Sequence, residues 1–184
     1  MGRWADAASP AVLVFAATLA FAPPASRAAD EALRNWFDDP FFQVRDGAPG
    51  CPVPLGPLSD EETFRQQTHP RSERGTRCWL AGECRLPNAY LYDPAIAAAV
   101  RARFAASRLL REASLWVTVQ RRIVWVEGCV APGVREQAVE KLLKGVPDVE
   151  LLVINLRRRP GERPPYRTLD AARAAIAQAP KPPR

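Results

Sequence analysis

Four cysteines, a single histidine and a surplus of arginine are the residues of this 184-residue chain that have chemistry to offer. Cys51, Cys78, Cys84 and Cys129 are an even number and allow three pairings, among which spacing alone does not choose. The preferred pairing closes the short loop Trp79-Leu80-Ala81-Gly82-Glu83 through Cys78–Cys84, where Gly82 permits a turn, and joins Cys51 to Cys129. The rival use of these thiols is a zinc site completed by His69, but no C-x₂-C knuckle is present. His69, followed by Pro70 in a polar stretch, would need a free thiolate beside it to form a nucleophilic pair. The sequence carries no carboxylate pair at suggestive spacing, no phosphate-cradling glycine loop and no nucleophile motif. The expectation is therefore a protein that is not an enzyme and uses no metal and no cofactor.

The cysteines gain meaning from the first 28 residues. Arg3 opens them, residues 11–22 form an apolar core, Pro23-Pro24 breaks it, and Ser26-Arg27-Ala28 offers small residues for cleavage. This reads as an export signal cut after Ala28, with a retained N-terminal anchor as the alternative. Exported cysteines oxidise, which favours disulfides and a periplasmic location, possible contact with the membrane periphery included. The formal charge is +6, and removal of Arg3, Arg27 and Asp6 with the signal leaves +5. Residues 29–90 hold 7 Arg against 10 Asp and Glu, whereas residues 91–184 hold 17 Lys and Arg against 9 acids. The basic half would attract anionic headgroups or acidic polymers, and export argues against nucleic acid.

Which elements would hold these charges? Residues 93–107 have the spacing of a helix: Asp93 is placed to cap it, Pro94 suits its first turn, and Ile96, Val100 and Phe104 form an inward stripe with Ala97. SLWVTVQ and IVWVEGCV are β-rich runs separated only by Arg121-Arg122, so they form a hairpin. A helix is expected from about Pro132, with Gly145 as its stop, followed by the strand VELLVINL. This α-β-β-α-β unit predicts a three-stranded sheet backed by two helices. Leu115, Val117, Val119, Val124 and Val126 face those helices, and Trp116, Trp125 and Cys129 stand on the far face. The last strand is apolar on both sides, so the far face also needs a cover. The aromatic segment with Trp36, Phe37, Phe41 and Phe42, pinned by Cys51–Cys129, is the expected one, with a lipid-dipping patch as the alternative use of these rings. Further short helices are expected over residues 31–37, from residue 59 to just before His69-Pro70, and over residues 168–179, with residues 70–88 loop-like and Pro180 onward disordered. Arg157-Arg158-Arg159 is the densest basic run and reads as a solvated chain exit, with a binding site as the alternative.

Residues 92–156 resemble the BON domain, an exported bacterial α/β module. The likeness rests on IVWVEGCV, with Gly128 at the family's strand glycine, and on REQAVEKLLKGVPDVELLVINL. Arg121-Arg122 and Asp148 stand where the family often has glycine. NWFDDPFFQV, CPVPLGP and RCWLAGECRLPNAYLYD lie outside the domain and resemble the extension of a proteobacterial subset of BON-domain proteins. The resulting division is a signal peptide (1–28), a loop-rich extension with short helices (29–90), a BON-like α+β sandwich (91–157) and a basic Pro-rich tail with a short helix (158–184). The resemblance implies attachment to phospholipid or another envelope component and transfers no catalytic residue. Arg101, Arg108, Arg111, Arg121 and Arg122 are the expected contacts to an anionic phospholipid surface. The alternative is an envelope-protein partner met by Trp116, Trp125 and the N-terminal extension. The sequence leaves the oligomeric state open.

Overall fold

The computed structural model describes residues 32–179. The expected signal peptide and the expected disorder from Pro180 lie outside the described residues. The chain is a mixed helix-and-strand structure built on one sheet. Its elements are β1 (Phe41–Asp46), α1 (Glu61–Glu73), α2 (Thr76–Leu80), a 3₁₀ turn (Ala89–Tyr92), α3 (Asp93–Ala106), β2 (Ser114–Gln120), β3 (Ile123–Cys129), α4 (Gln137–Leu143), β4 (Leu151–Arg157) and α5 (Leu169–Gln178).

The sheet has four strands, in the order β1-β2-β3-β4, and not the three expected. The extra strand comes from the leading segment: Phe41 to Asp46 pairs antiparallel with β2, with a register break between Gln43 and Arg45. Its sequence, FFQVRD, lacks strict alternation, which hid it. Phe42 enters the helix-side core and Val44 packs against it, while Phe41 lies against Gly56 on the other face. β2 and β3 form the hairpin, and β3 runs parallel to β4.

The helix side is closed as the pattern demanded. Val100, Leu115, Val117, Val119, Val124, Val126 and Val139 have no exposed surface, and Ile96 and Phe104 are nearly as buried. Burying an aliphatic side chain stabilises by about 1.5–3 kcal/mol, so this layer dominates the fold. Gly128 stands opposite Leu115 in the β2–β3 ladder. It has φ 147°, and a Cβ there would lie 2.0 Å from the Ser114 carbonyl oxygen, so no side chain fits without moving backbone.

The far face is roofed by two segments rather than by the leading one alone. Leu55 N–H donates to the Arg167 carbonyl (2.8 Å) and Leu169 N–H to the Val53 carbonyl (2.9 Å), joining residues 53–55 to residues 167–169. Pro54, Leu55 and Tyr166 are buried beneath this join. Tyr166 Oη donates to the Pro52 carbonyl at 2.9 Å, and burial pushes its phenol up to about 12. Both preferred disulfides are formed: Cys51–Cys129 ties the roof to the end of β3, and Cys78–Cys84 closes the short loop. With the cysteines paired to one another, and His69 exposed on α1 beside Glu73, no thiolate is left for zinc.

Other local expectations need correction. Residues 33–37 do not form a helix; Arg34 instead exchanges two backbone hydrogen bonds with Ser59. α1 begins where expected, its first turn capped by Asp60, but it runs through Pro70 to Glu73. Interactions on both sides of Pro70 hold the helix. Trp36 and Phe37 pack on Phe64, and Arg71 reaches Asp39 with two hydrogen bonds while its guanidinium stacks on Phe37 and Tyr90. Within the loop-like stretch 70–88, the end of α1 and α2 are helical. α4 begins at Gln137, five residues later than expected, because Pro132-Gly133 makes a turn and Arg158 holds Val134 and Glu136. α5 forms where the alanine-rich run lies, and Thr168 accepts from Ala171 N–H as its cap.

Candidate anion-binding pole

Strand register gives the molecule two ends. Asp46, Ser114, Cys129 and Arg157 lie in one row across the sheet, where β1, β3 and β4 finish and β2 begins. At the opposite end lie Gln120, Ile123 and Leu151 with the Arg121-Arg122 turn. α3 runs between the ends. At about 1.5 Å per residue its 14 residues separate them by about 20 Å.

At the hairpin end, Asp93 does not cap its own helix. It is the first residue of α3, almost fully buried, and its carboxylate accepts from the N–H groups of Arg121 (2.7 Å) and Arg122 (2.8 Å). Those residues have φ 48° and 68°, the left-handed geometry of a two-residue hairpin turn normally occupied by Asn-Gly. Burial pushes the Asp93 carboxyl up to about 6; the two backbone donors oppose this, nearby Asp39 adds to it, and Arg71 counters it. The Arg122 side chain is committed: Nε donates to the Asp148 carbonyl (2.9 Å) and the guanidinium stands over Tyr92. Arg85 pairs with Asp148, Arg71 with Asp39. Around this end Arg71, Arg74, Arg77, Arg85, Arg121, Arg122 and Lys144 are equalled in number by Asp38, Asp39, Glu73, Glu83, Asp93, Asp148 and Glu150.

The other end is basic. Its loops and strand ends carry Arg108, Arg111, Arg135, Arg157, Arg158 and Arg159 against Asp46, Glu112, Glu136 and Glu162, a net of +2. Leu109, half exposed, stands between Arg108 and Arg111. Arg45 is absorbed into the scaffold: its guanidinium donates to the carbonyls of Phe104 (2.6 Å), Ser107 (2.8 Å) and Leu109 (3.2 Å), closing the C-terminus of α3. Burial and nearby Arg111 both pull its pKa down. Arg158 pairs with Glu136 at 3.0 Å. The run 157–159 is thus not a simple solvated exit; Arg157 and Arg158 are half-buried and only Arg159 is exposed.

The five arginines singled out from sequence are therefore not brought together. Arg108 and Arg111 lie at the basic pole, Arg121 and Arg122 at the hairpin end, and Arg101 stands between them on α3 with its guanidinium 3.5 Å over the Phe42 ring. Trp116 and Trp125 are on the far face and half-buried; Trp125 helps line a cavity of about 260 Å³ shared with roof residues 55–59. That cavity contains Glu127, whose carboxyl is pushed up by burial and held partly in check by Asn155. The apolar residues that do face outward are elsewhere: Trp79 is 44% exposed and Leu80 79%, both inside the Cys78–Cys84 loop. Sequence reading missed Arg45, Tyr166 and the role of Asp93, because each acts through a partner more than 25 residues away. Compared with family models, curated proteins and solved structures, the chain matches none.

Proposed function

We propose that this chain is a non-enzymatic binding module of the cell envelope that docks on anionic phospholipid through its basic pole. The observation that carries the reading is the charge asymmetry along α3: a net of +2 at one end and balance at the other. Each arginine near an anionic membrane contributes about 1 kcal/mol, so a handful of unpaired ones suffices for reversible docking. Two disulfides support an oxidising compartment, and no helix among the described residues is long and apolar enough to cross a membrane. The order α3-β2-β3-α4-β4 supports the BON-like reading of residues 91–157. So does Asp148, at a place where that family often has glycine, which takes φ 63°. Vesicle flotation tests the docking. Recovery is expected with anionic vesicles at low salt and loss at high salt, because exposed charges are screened beyond a Debye length of about 10 Å at 0.1 M. Equal, salt-insensitive recovery with neutral vesicles, or none with either, refutes it.

A second reading, docking of an envelope protein, is favoured by one observation: Trp79 and Leu80 are held outward by a disulfide-closed loop at the charge-balanced end. Trp116 and Trp125, half-covered by the roof, are the poorer candidates for that role.

A further inference from the structure

A groove of about 310 Å³ opens at the basic pole between residues 48–51 and residues 157–160, with the Cys51–Cys129 bridge between its walls. Its inner surface is apolar, made by Ala48, Pro49, Val130, Pro160 and the sulfur bridge, and no carboxylate is among its lining residues. Arginines supply its only charge. Arg158 is used internally, on Glu136 and the Val134 carbonyl. Arg157 spends only Nε, which donates to the Arg159 carbonyl at 3.0 Å, so its two terminal nitrogens have no protein partner among the described residues. The Arg159 guanidinium has none either.

The backbone beside these side chains already holds an anion. The successive N–H groups of Arg158 and Arg159 both donate to Glu162 Oε2, at 3.2 and 3.1 Å. Consecutive N–H groups aimed at one oxygen are an anion-binding nest, and here a carboxylate from the chain itself fills it. Guanidinium forks and backbone nests are the donors that phosphate oxygens accept from, and arginine binds phosphate in a bidentate way.

We infer that this groove seats the phosphate of a lipid headgroup, which displaces the Glu162 carboxylate from the Arg158–Arg159 N–H groups, is clasped by Arg157 and Arg159, and lays its glycerol and first methylenes against Pro49, Val130 and Pro160. The apolar wall selects a lipid phosphate over the free ion, which has nothing to place there. A phosphomonoester headgroup, with more charge and more free oxygens on one phosphorus, fits this donor set better than a phosphodiester. The inference rests on the docking reading and narrows it from a diffuse field to one seat.

The experiment compares binding of the full chain to neutral vesicles doped with phosphatidate or with phosphatidylglycerol, matched for zeta potential, with circular dichroism and a free-thiol count confirming that each variant is folded. The wild type is expected to prefer phosphatidate, and inorganic phosphate is expected not to compete. Arg157→Gln with Arg159→Gln removes the preference, while Arg108→Gln with Arg111→Gln weakens binding to both vesicles alike and keeps it. Glu162→Gln strengthens phosphatidate binding about fivefold more than Glu112→Gln, which makes the same charge change at the same pole without opening the nest; fivefold is about 1 kcal/mol. Equal effects of the two Glu variants, a preference that survives loss of Arg157 and Arg159, or competition by inorganic phosphate overturns the seat and leaves diffuse docking standing. If the wild type binds neither charged vesicle, docking falls and the seat with it.

Discussion

A buried carboxylate, with no cation bonded to it among the described residues, organises the hairpin. Asp93 accepts two N–H bonds from a turn whose residues both carry side chains at positive φ, a conformation that costs about 1–2 kcal/mol per non-glycine residue. The carboxylate offsets that cost by satisfying both turn donors. Its own burial leaves a signature in pH. The folded value is about 6, above the ordinary value of 3.8, so the folded state binds the proton more tightly than the unfolded chain. The stability this contributes is complete below about pH 4 and is lost as pH rises to 6, by up to about 3 kcal/mol for a shift of that size. Glu127, also raised by burial, adds a slope of the same sign. Denaturant unfolding between pH 4 and 7 should therefore show wild-type stability falling more steeply than that of Asp93→Asn, which has no proton to lose. Parallel slopes for the two proteins rule this account out.

Among the elements, those whose partners are local were legible and those whose partners are distant were not. The stripe Ile96-Val100-Phe104 and the alternation in β2 and β3 each declare a buried face within a few residues, and all were found where the pattern put them. β1 was not, because its pairing to β2 spans about seventy positions and its composition is half polar. The tail's share of the roof was missed for the same reason: proline-rich residues 160–165 look like linker, yet they deliver Tyr166 and Thr168 to residues 52–54. The disulfide at Cys129 was legible from physical need, since a strand apolar on both faces demands a cover. The basic pole was half legible; Arg108 and Arg111 were named, but a linear reading does not reveal that residues 157–159 emerge at the same end of the sheet. The bridge between Cys51 and Cys129 spans 78 positions, and closing a loop of that length constrains the unfolded chain by about 4 kcal/mol. Replacing both cysteines by serine should lower unfolding stability by roughly 2–4 kcal/mol and raise amide exchange at Leu55 and Leu169 while Val117 and Val126 stay protected. Uniform loss of protection across sheet and roof would mean that the roof is not a separate layer fastened through sulfur.

Taken whole, the molecule is a scaffold for charge: α3 sets a distance, and the strand register sets which loops gather at each end. The two ends differ in how their arginines are used. At the hairpin end Arg71 and Arg85 pair with Asp39 and Asp148 and Arg122 donates to the Asp148 carbonyl, while Arg74, Arg77 and Arg121 have no ion pair among the described residues but are offset in number by Glu73, Glu83 and Glu150. At the basic pole, Arg108, Arg111 and Arg159 have no ion pair among the described residues and point the molecule's field outward. The separation of about 20 Å along α3 is twice the Debye length of about 10 Å at 0.1 M salt, so a bilayer touched by one pole scarcely senses the other. This makes docking orientation measurable. Arg108→Gln with Arg111→Gln should weaken binding to anionic vesicles by about tenfold or more, in line with roughly 1 kcal/mol per arginine, whereas Arg121→Gln with Arg122→Gln should change it less than about twofold. The second pair keeps its backbone donors to Asp93, so the hairpin holds and any change reads charge rather than unfolding. Equal losses from both pairs would mean that the long side of the molecule, with Arg101 at its middle, lies flat on the membrane, and the polar docking geometry would have to be abandoned.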